Sequence, residues 1–248
     1  MRAYSWLRVS RLAPAGVVLA LLAGVALGAA ACAPGINGSG HVKTESRVVS
    51  GFSSVVLNGV GTLSITQTGT ESLSITTDDN ILPLITSTVS NGTLTLSIKP
   101  GNSLGQLTQL SYKLTVATLR GLTVSGAATV TASGINADSL TLTLNGAATL
   151  TGTNITASTL AVTLNGASSV TISGQGHTQK ISMSGASKYD GSHFTTHSAT
   201  VSVSGAGDVS VAASDTLDVT ISGAGTVTYY GSPHLTQHIN GAGTIKQG

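Results

Sequence analysis

The chain has 248 residues, of which 31 are Gly, 40% hydrophobic, 3% aromatic and only 8% charged, with a formal charge of +2. A disordered polar chain has fewer aliphatics and more charge, so that class is excluded. The abundant Val, Leu, Ile, Thr and Ser suit half-buried pleated surfaces and place the chain in the all-β class.

Residues 1–31 read as a signal peptide. Arg2, Arg8 and Arg11 precede the short apolar run "VVLALLAGVALGAAA", which ends in small residues. At about 15 residues the run is shorter than the roughly 20 that a spanning helix needs. The single cysteine, Cys32, follows Ala29-Ala30-Ala31. This resembles a bacterial lipobox, in which the cysteine becomes the lipid-bearing first residue, although that pattern prefers Leu where Ala29 stands. The expectation is an exported chain anchored to the membrane through Cys32, with cleavage to a free thiol as the alternative. A lone cysteine excludes an internal disulfide framework and any CxxC metal or redox site. Three of the eleven Lys and Arg residues leave with the leader, so eight face nine acids and the formal charge becomes −1. No basic stripe remains for nucleic acid.

Residues 32–45 read as a flexible, Gly-rich tether, and residues 46–248 as the folded domain. Strand-like alternation starts near Val48. Between Gly61 and Leu119 it is irregular: Pro83 and the pair Asp78-Asp79 interrupt it, and Asn91-Gly92 marks a turn. This stretch is expected to form hairpin-like excursions or a cap over the N-terminal end, where an open solenoid would expose a strand edge.

From Leu122 onward the chain repeats itself. Gly126, Gly146, Gly166, Gly185, Gly205, Gly223 and Gly241 each follow Ser or Asn and precede Ala, and "NGVGTL" at Gly59 is an earlier relative. The spacings are 20, 20, 19, 20, 18 and 18 residues. A fixed period of this kind signals a stacked-repeat architecture. Within "LTLTLNGAATLTG", Leu140, Leu142 and Leu144 alternate with Thr141 and Thr143, a period of two and not 3.6. Rungs of 18–20 residues built of short strands predict a right-handed parallel β-helix. Nine or so rungs at about 4.8 Å would make a rod of about 45 Å. In each rung the Leu residues point inward, the Asn or Ser bonds its local backbone, Gly turns the corner and Ala fills a tight inward site.

Several segments, "SRVVSGFSSVVLNGVGTLSITQ", "SLSITTDDNILPLITSTVSNGTLTLSIK", the SGA and NGA rungs and the ending "GSPHLTQHINGAGTIKQ", resemble the putative auto-transporter adhesin, head GIN domain family. The resemblance spans about Ser46 to Gly248. It implies an exported or surface-anchored right-handed β-helix with an adhesive role, and it supplies no catalytic residues.

Candidate chemistry is sparse. Asp78-Asp79-Asn80 lacks the spacing of a calcium loop and reads as a turn. His193 and His197, like His234 and His238, stand four apart, which on a strand separates them by about 13 Å. Histidines of adjacent rungs could still meet. Thr129, Thr131, Thr149, Thr151, Ser169 and Thr171 predict an outward hydroxyl ladder of the kind ice-binding solenoids use. It lapses at Lys188 and Asp208, so ordinary solvated β-surface is expected. Asp190 and Asp208 are possible neighbours, as pectin-processing β-helices would require, but no cation beside them is evident. Tyr189, Tyr229 and Tyr230 complete a possible ligand-contact face with the two aspartates. No catalytic residue, cofactor or metal ligand is assigned. The expectation is a non-enzymatic exported binding module whose partner is a surface glycan or an envelope protein, with no nucleic acid. The alternatives are a pectin-lyase-like enzyme and a structural envelope module assembling end to end.

Overall fold

The alternation in the sequence becomes an alternation of burial. Leu140, Leu142 and Leu144 are buried, Thr141 is exposed and Thr143 is half-buried. Successive strand residues point to opposite faces, so each aliphatic–Thr run builds one dry and one wet face. A computed structural model describes residues 35–248. The signal peptide and Cys32 lie outside the described residues.

The strands are β1 (Val42–Arg47), β2 (Ser54–Gln67), β3 (Ser72–Asp78), β4 (Ile85–Ser90), β5 (Thr93–Ile98), β6 (Leu110–Val116), β7 (Gly121–Ser133), β8 (Asn136–Gly146), β9 (Thr149–Gly166), β10 (Ser169–Gly185), β11 (Lys188–Gly205), β12 (Asp208–Ile221), β13 (Thr226–Tyr230), β14 (His234–Ile239) and β15 (Thr244–Gln247). They form one sheet wound into a parallel β-solenoid of about six turns. This is fewer than the nine or so rungs expected from length, because much of the chain between Val42 and Val116 is spent on an antiparallel cap.

From β7 onward equivalent positions stack rung on rung. Leu122 lies beside Leu142, then Val162, Ile181, Val201 and Val219 follow in register. A second inward column runs Val130, Leu150, Val170, Tyr189, Val209 and Val227. All of these side chains are buried. Each contributes roughly 1.5–3 kcal/mol of transfer free energy relative to exposure.

The corners need glycine for two reasons. Gly146 and Gly166 adopt φ of 120° and 114°, which L side chains rarely tolerate. A Cβ on Gly166 would also meet the carbonyl oxygen of Gly146 at 2.6 Å. The preceding Asn does not bond its own backbone, as the sequence suggested, but its counterpart in the next rung. Asn165 Nδ2 donates to Asn145 Oδ1 at 2.9 Å, and Ser184 Oγ donates to Asn165 Oδ1 at 2.7 Å. The inward small residue is the second after Gly (Ala128 and Ala148), while Ala147 is exposed.

Stacking order departs from chain order at the N-terminal end. Val55 of β2 is flanked by Leu94 of β5 on one side and Leu122 of β7 on the other. The chain therefore leaves β2, lays β5 and β6 on its far side, and crosses back to start β7. Antiparallel β3 covers β6, β1 covers β3, and β4 covers β5. The β4–β5 hairpin turns at Asn91 and Gly92, both at positive φ (50° and 71°), the geometry of a tight primed turn. Lys43 and Glu45 on the outermost strand put charge on a free edge, which discourages further pairing, while Arg47 donates to the Leu82 and Ile85 carbonyls.

The tether expected through residue 45 is not a tether from Gly35 onward. Ile36 donates to Ser103 O and its carbonyl accepts from Gly105 N. Asn37 Oδ1 accepts from Gln106 N at 2.9 Å. Asp78, Asp79 and Asn80 hold the other side of this strap. Asp78 Oδ1 accepts from Gly40 N at 2.9 Å and Thr108 Oγ1 at 2.8 Å, and Oδ2 accepts from Thr108 N at 3.0 Å. Asn80 Oδ1 accepts from Ser39 N, and Asn80 Nδ2 donates to Asn37 O. Burial pushes the Asp78 carboxyl up, but the Thr108 hydroxyl and the N–H groups of Thr108 and Gly40 together hold it below its ordinary value. The acidic pair is thus a structural clasp.

Candidate functional site

The wet faces of the rungs line up as precisely registered columns, because parallel in-register stacking puts like side chains beside like. One column runs Thr44, Thr76, Ser111, Thr62, Thr129, Thr149, Ser169, Lys188, Asp208, Thr226 and Thr244. Its neighbour, two residues on in each strand except antiparallel β3, where it is two residues back, runs Ser46, Ser74, Lys113, Ser64, Thr131, Thr151, Thr171, Asp190, Ser210, Thr228 and Lys246. The predicted hydroxyl ladder therefore extends through the antiparallel cap, which the repeat spacing did not reveal. At about 4.8 Å per strand the column spans roughly 48 Å, and its hydroxyls run unbroken for about 29 Å, from Thr44 to Ser169, before Lys188 and Asp208 interrupt them. Hydroxyls pair along it where geometry allows, as between Thr44 Oγ1 and Thr76 Oγ1 at 2.8 Å.

The five residues expected to share one contact face do not. Asp190 and Asp208 lie on the hydroxyl face, but diagonally: Asp208 is in register with Lys188, and Asp190 with Ser210. Lys188 is the cation that sequence reading missed. The Asp190 carboxylate is already engaged, accepting from Ser192 Oγ at 2.7 Å and Ser192 N at 3.1 Å. The Ser192 hydroxyl, against a smaller opposing effect of burial, holds the carboxyl below its ordinary value; the Ser192 N–H, Lys188 and His193 add to the lowering.

Tyr189 points the other way and is fully buried. It occupies the rung position of Val170 and Leu150, so strand parity sends it into the core. Its Oη donates to Gln179 Oε1 at 3.2 Å. Gln179 Nε2 donates to Thr196 Oγ1 at 2.9 Å and Ala212 O at 3.0 Å, and Thr196 Oγ1 donates to Ala212 O at 2.9 Å. Every polar atom of this buried set has a partner, as the low-dielectric interior demands. Burial, reinforced by the nearby Asp190 charge, pushes the Tyr189 phenol up. Tyr229 is half-buried in the same inward parity, and Tyr230 is exposed at the end of β13, in register with Ala212.

The histidines four apart on β11 stay apart, but His177 and His197 of successive rungs meet. Their ring centroids are 4.8 Å apart with planes tilted by 39°. Among the described residues, no group of three or more His, Cys, Asp or Glu gathers as metal ligands would. No described helix is long and apolar enough to cross a membrane.

No curated protein is detectably similar in sequence. Solved structures are similar in fold. A putative adhesin from Bacteroides fragilis is 25% identical, with a TM-score of 0.81 over 86% of this chain and 100% of that one. A putative lipid binding protein from Parabacteroides distasonis is 21% identical, with a TM-score of 0.68 over 86% of this chain and 99% of that one. A putative adhesin from Parabacteroides merdae is 21% identical, with a TM-score of 0.65 over 87% of this chain and 100% of that one. The two at 21% show the shared fold alone. The profile of the putative auto-transporter adhesin, head GIN domain matches residues 51–233, and the chain belongs to that family.

Proposed function

We propose that the protein is a non-enzymatic, exported cell-surface binding module, held at the membrane by a lipid on Cys32, that displays its β-solenoid to a surface glycan or envelope protein. The observation that carries this reading is the hydroxyl ladder. It presents donors and acceptors at a regular spacing on a backbone already ordered by stacking. A partner then meets a preorganised surface and little side-chain entropy is lost, since Ser and Thr are short. Membership of an adhesin family supports the same reading.

The test is retention of purified protein on immobilised glycans and cell-envelope fractions. Saturable retention that falls when Thr151 and Thr171 are changed to bulky Trp supports the ladder as the contact surface. A folded sample that no glycan or envelope fraction retains overturns the module. Mass spectrometry of the mature N-terminus tests the anchor: a diacylglyceryl adduct on Cys32 is expected, and an unmodified thiol refutes it.

A further inference from the structure

The third side of the solenoid carries a groove that the repeat does not explain. The register of β11 against β12 jumps: Gly191 pairs with Val211, but the next pair is Thr195 with Ala212. Rung spacing falls from 20 to 18 residues after Gly205, and Ser192, His193 and Phe194 have no counterpart in β12. Two open cavities of about 410 and 530 Å³ result, and they share Thr195, Thr196 and Ser214. Their floor is made of small residues, including Gly176, Ala157 and Ala213.

The groove runs across the rungs along one registered column: Thr156, Gln175, Thr195, Ala212 and Tyr230. Four strand spacings make it about 19 Å long. The His177–His197 pair flanks the middle of the groove, two residues along from Gln175 and Thr195, and Tyr230 closes one end. No Lys, Arg, Asp or Glu lines either cavity. Beneath it the buried Tyr189–Gln179–Thr196 network fixes the floor, since Thr196 belongs to both.

We propose that this groove binds an extended, uncharged oligosaccharide of three to four sugars along the solenoid axis. The strand spacing is close to the length of one pyranose in an extended chain, so successive sugars meet equivalent rungs. Hydroxyl and amide groups at the rim suit sugar hydroxyls, the small-residue floor leaves room for ring faces, and the imidazoles at the side and Tyr230 at one end suit C–H stacking. An anionic polymer would meet no cation here. A fatty acyl chain would satisfy none of the exposed hydroxyl and amide groups of Thr156, Gln175, Thr195 and Ser214.

This inference rests on the reading of the protein as a binding module. The experiment is calorimetric titration with cellotetraose and chitotetraose, with sodium laurate as the lipid probe. Saturable binding of at least one tetrasaccharide is expected, weakened at least tenfold in Thr195→Trp, which fills the shared centre, and severalfold in Tyr230→Ala. Thr88→Trp, exposed on β4 and outside both the ladder and the groove, is expected to leave it unchanged. Circular dichroism checks that each variant is folded. The proposal is overturned if neither tetrasaccharide binds, if laurate binds in their place, or if Thr151→Trp and not Thr195→Trp abolishes binding. Retention on envelope fractions that persists in those cases leaves the binding module standing and removes only the groove.

Discussion

Leu142→Asp probes the inside–outside assignment on which the whole stack depends. Leu142 is 3% exposed and sits in register between Leu122 and Val162. An aspartate there loses roughly 1.5–3 kcal/mol of aliphatic burial. Its neighbours in the column are aliphatic, so no partner awaits the carboxylate, and it folds only as the neutral acid. Holding a group of pKa about 3.9 protonated at pH 7 costs about 4 kcal/mol, at 1.36 kcal/mol per unit. The sum of roughly 6–7 kcal/mol is a large part of the 5–15 kcal/mol total of an ordinary domain. Thr143→Asp, one residue on, places its carboxylate on the wet face between Thr123 and Thr163, where about ±0.5 kcal/mol is expected. Urea unfolding followed by circular dichroism should show Thr143→Asp near the parent and Leu142→Asp unfolded or severely destabilised. Amide exchange should locate the loss first in the rungs on either side, because each rung touches only its neighbours. Equal midpoints for the two variants would refute the assignment.

Gly166→Ala combines a φ of 114° with a clash against the Gly146 carbonyl, so it should cost more than 1 kcal/mol, whereas Gly134→Asn, at φ 65° with open space around it, should cost far less; urea midpoints compare them. Tyr189→Phe leaves Gln179 Oε1 without its donor and should cost about 1–3 kcal/mol in the same assay, with no change expected on the hydroxyl face. Asp78 makes the strap acid-sensitive. Its folded carboxyl lies below the ordinary 3.8, so its stabilisation is full above that value and is lost as pH falls through the lower folded value. Exchange protection of the Gly40 and Thr108 amides should fall as the carboxyl protonates, and an Asp78→Ala variant that keeps their full protection at neutral pH would exclude the clasp.

Much of the candidate site was legible once parity was applied. Thr129, Thr149 and Ser169 occupy equivalent places after their glycines, so the ladder follows from spacing alone. The burial of Tyr189 was legible too. Aligning "SGASKY" with "NGASSV" puts it at the position of Val170, an inward site, yet its aromatic character suggested a contact residue. The His177–His197 pair needed the 20-residue offset to be applied to histidines as well as to glycines.

The amino-acid order by itself determined the period, the dry and wet faces and the glycine corners, because each depends on residues within one rung or on a constant offset to the next. Tertiary structure alone decided what depends on a change of offset. The insertion of β2 between β6 and β7, the strap clasped by Asp78 and the groove opened by the jump between Gly191 and Thr195 are such features. Lateral register is set by the packing of whole strands against one another, and a repeat conveys it only while the repeat holds.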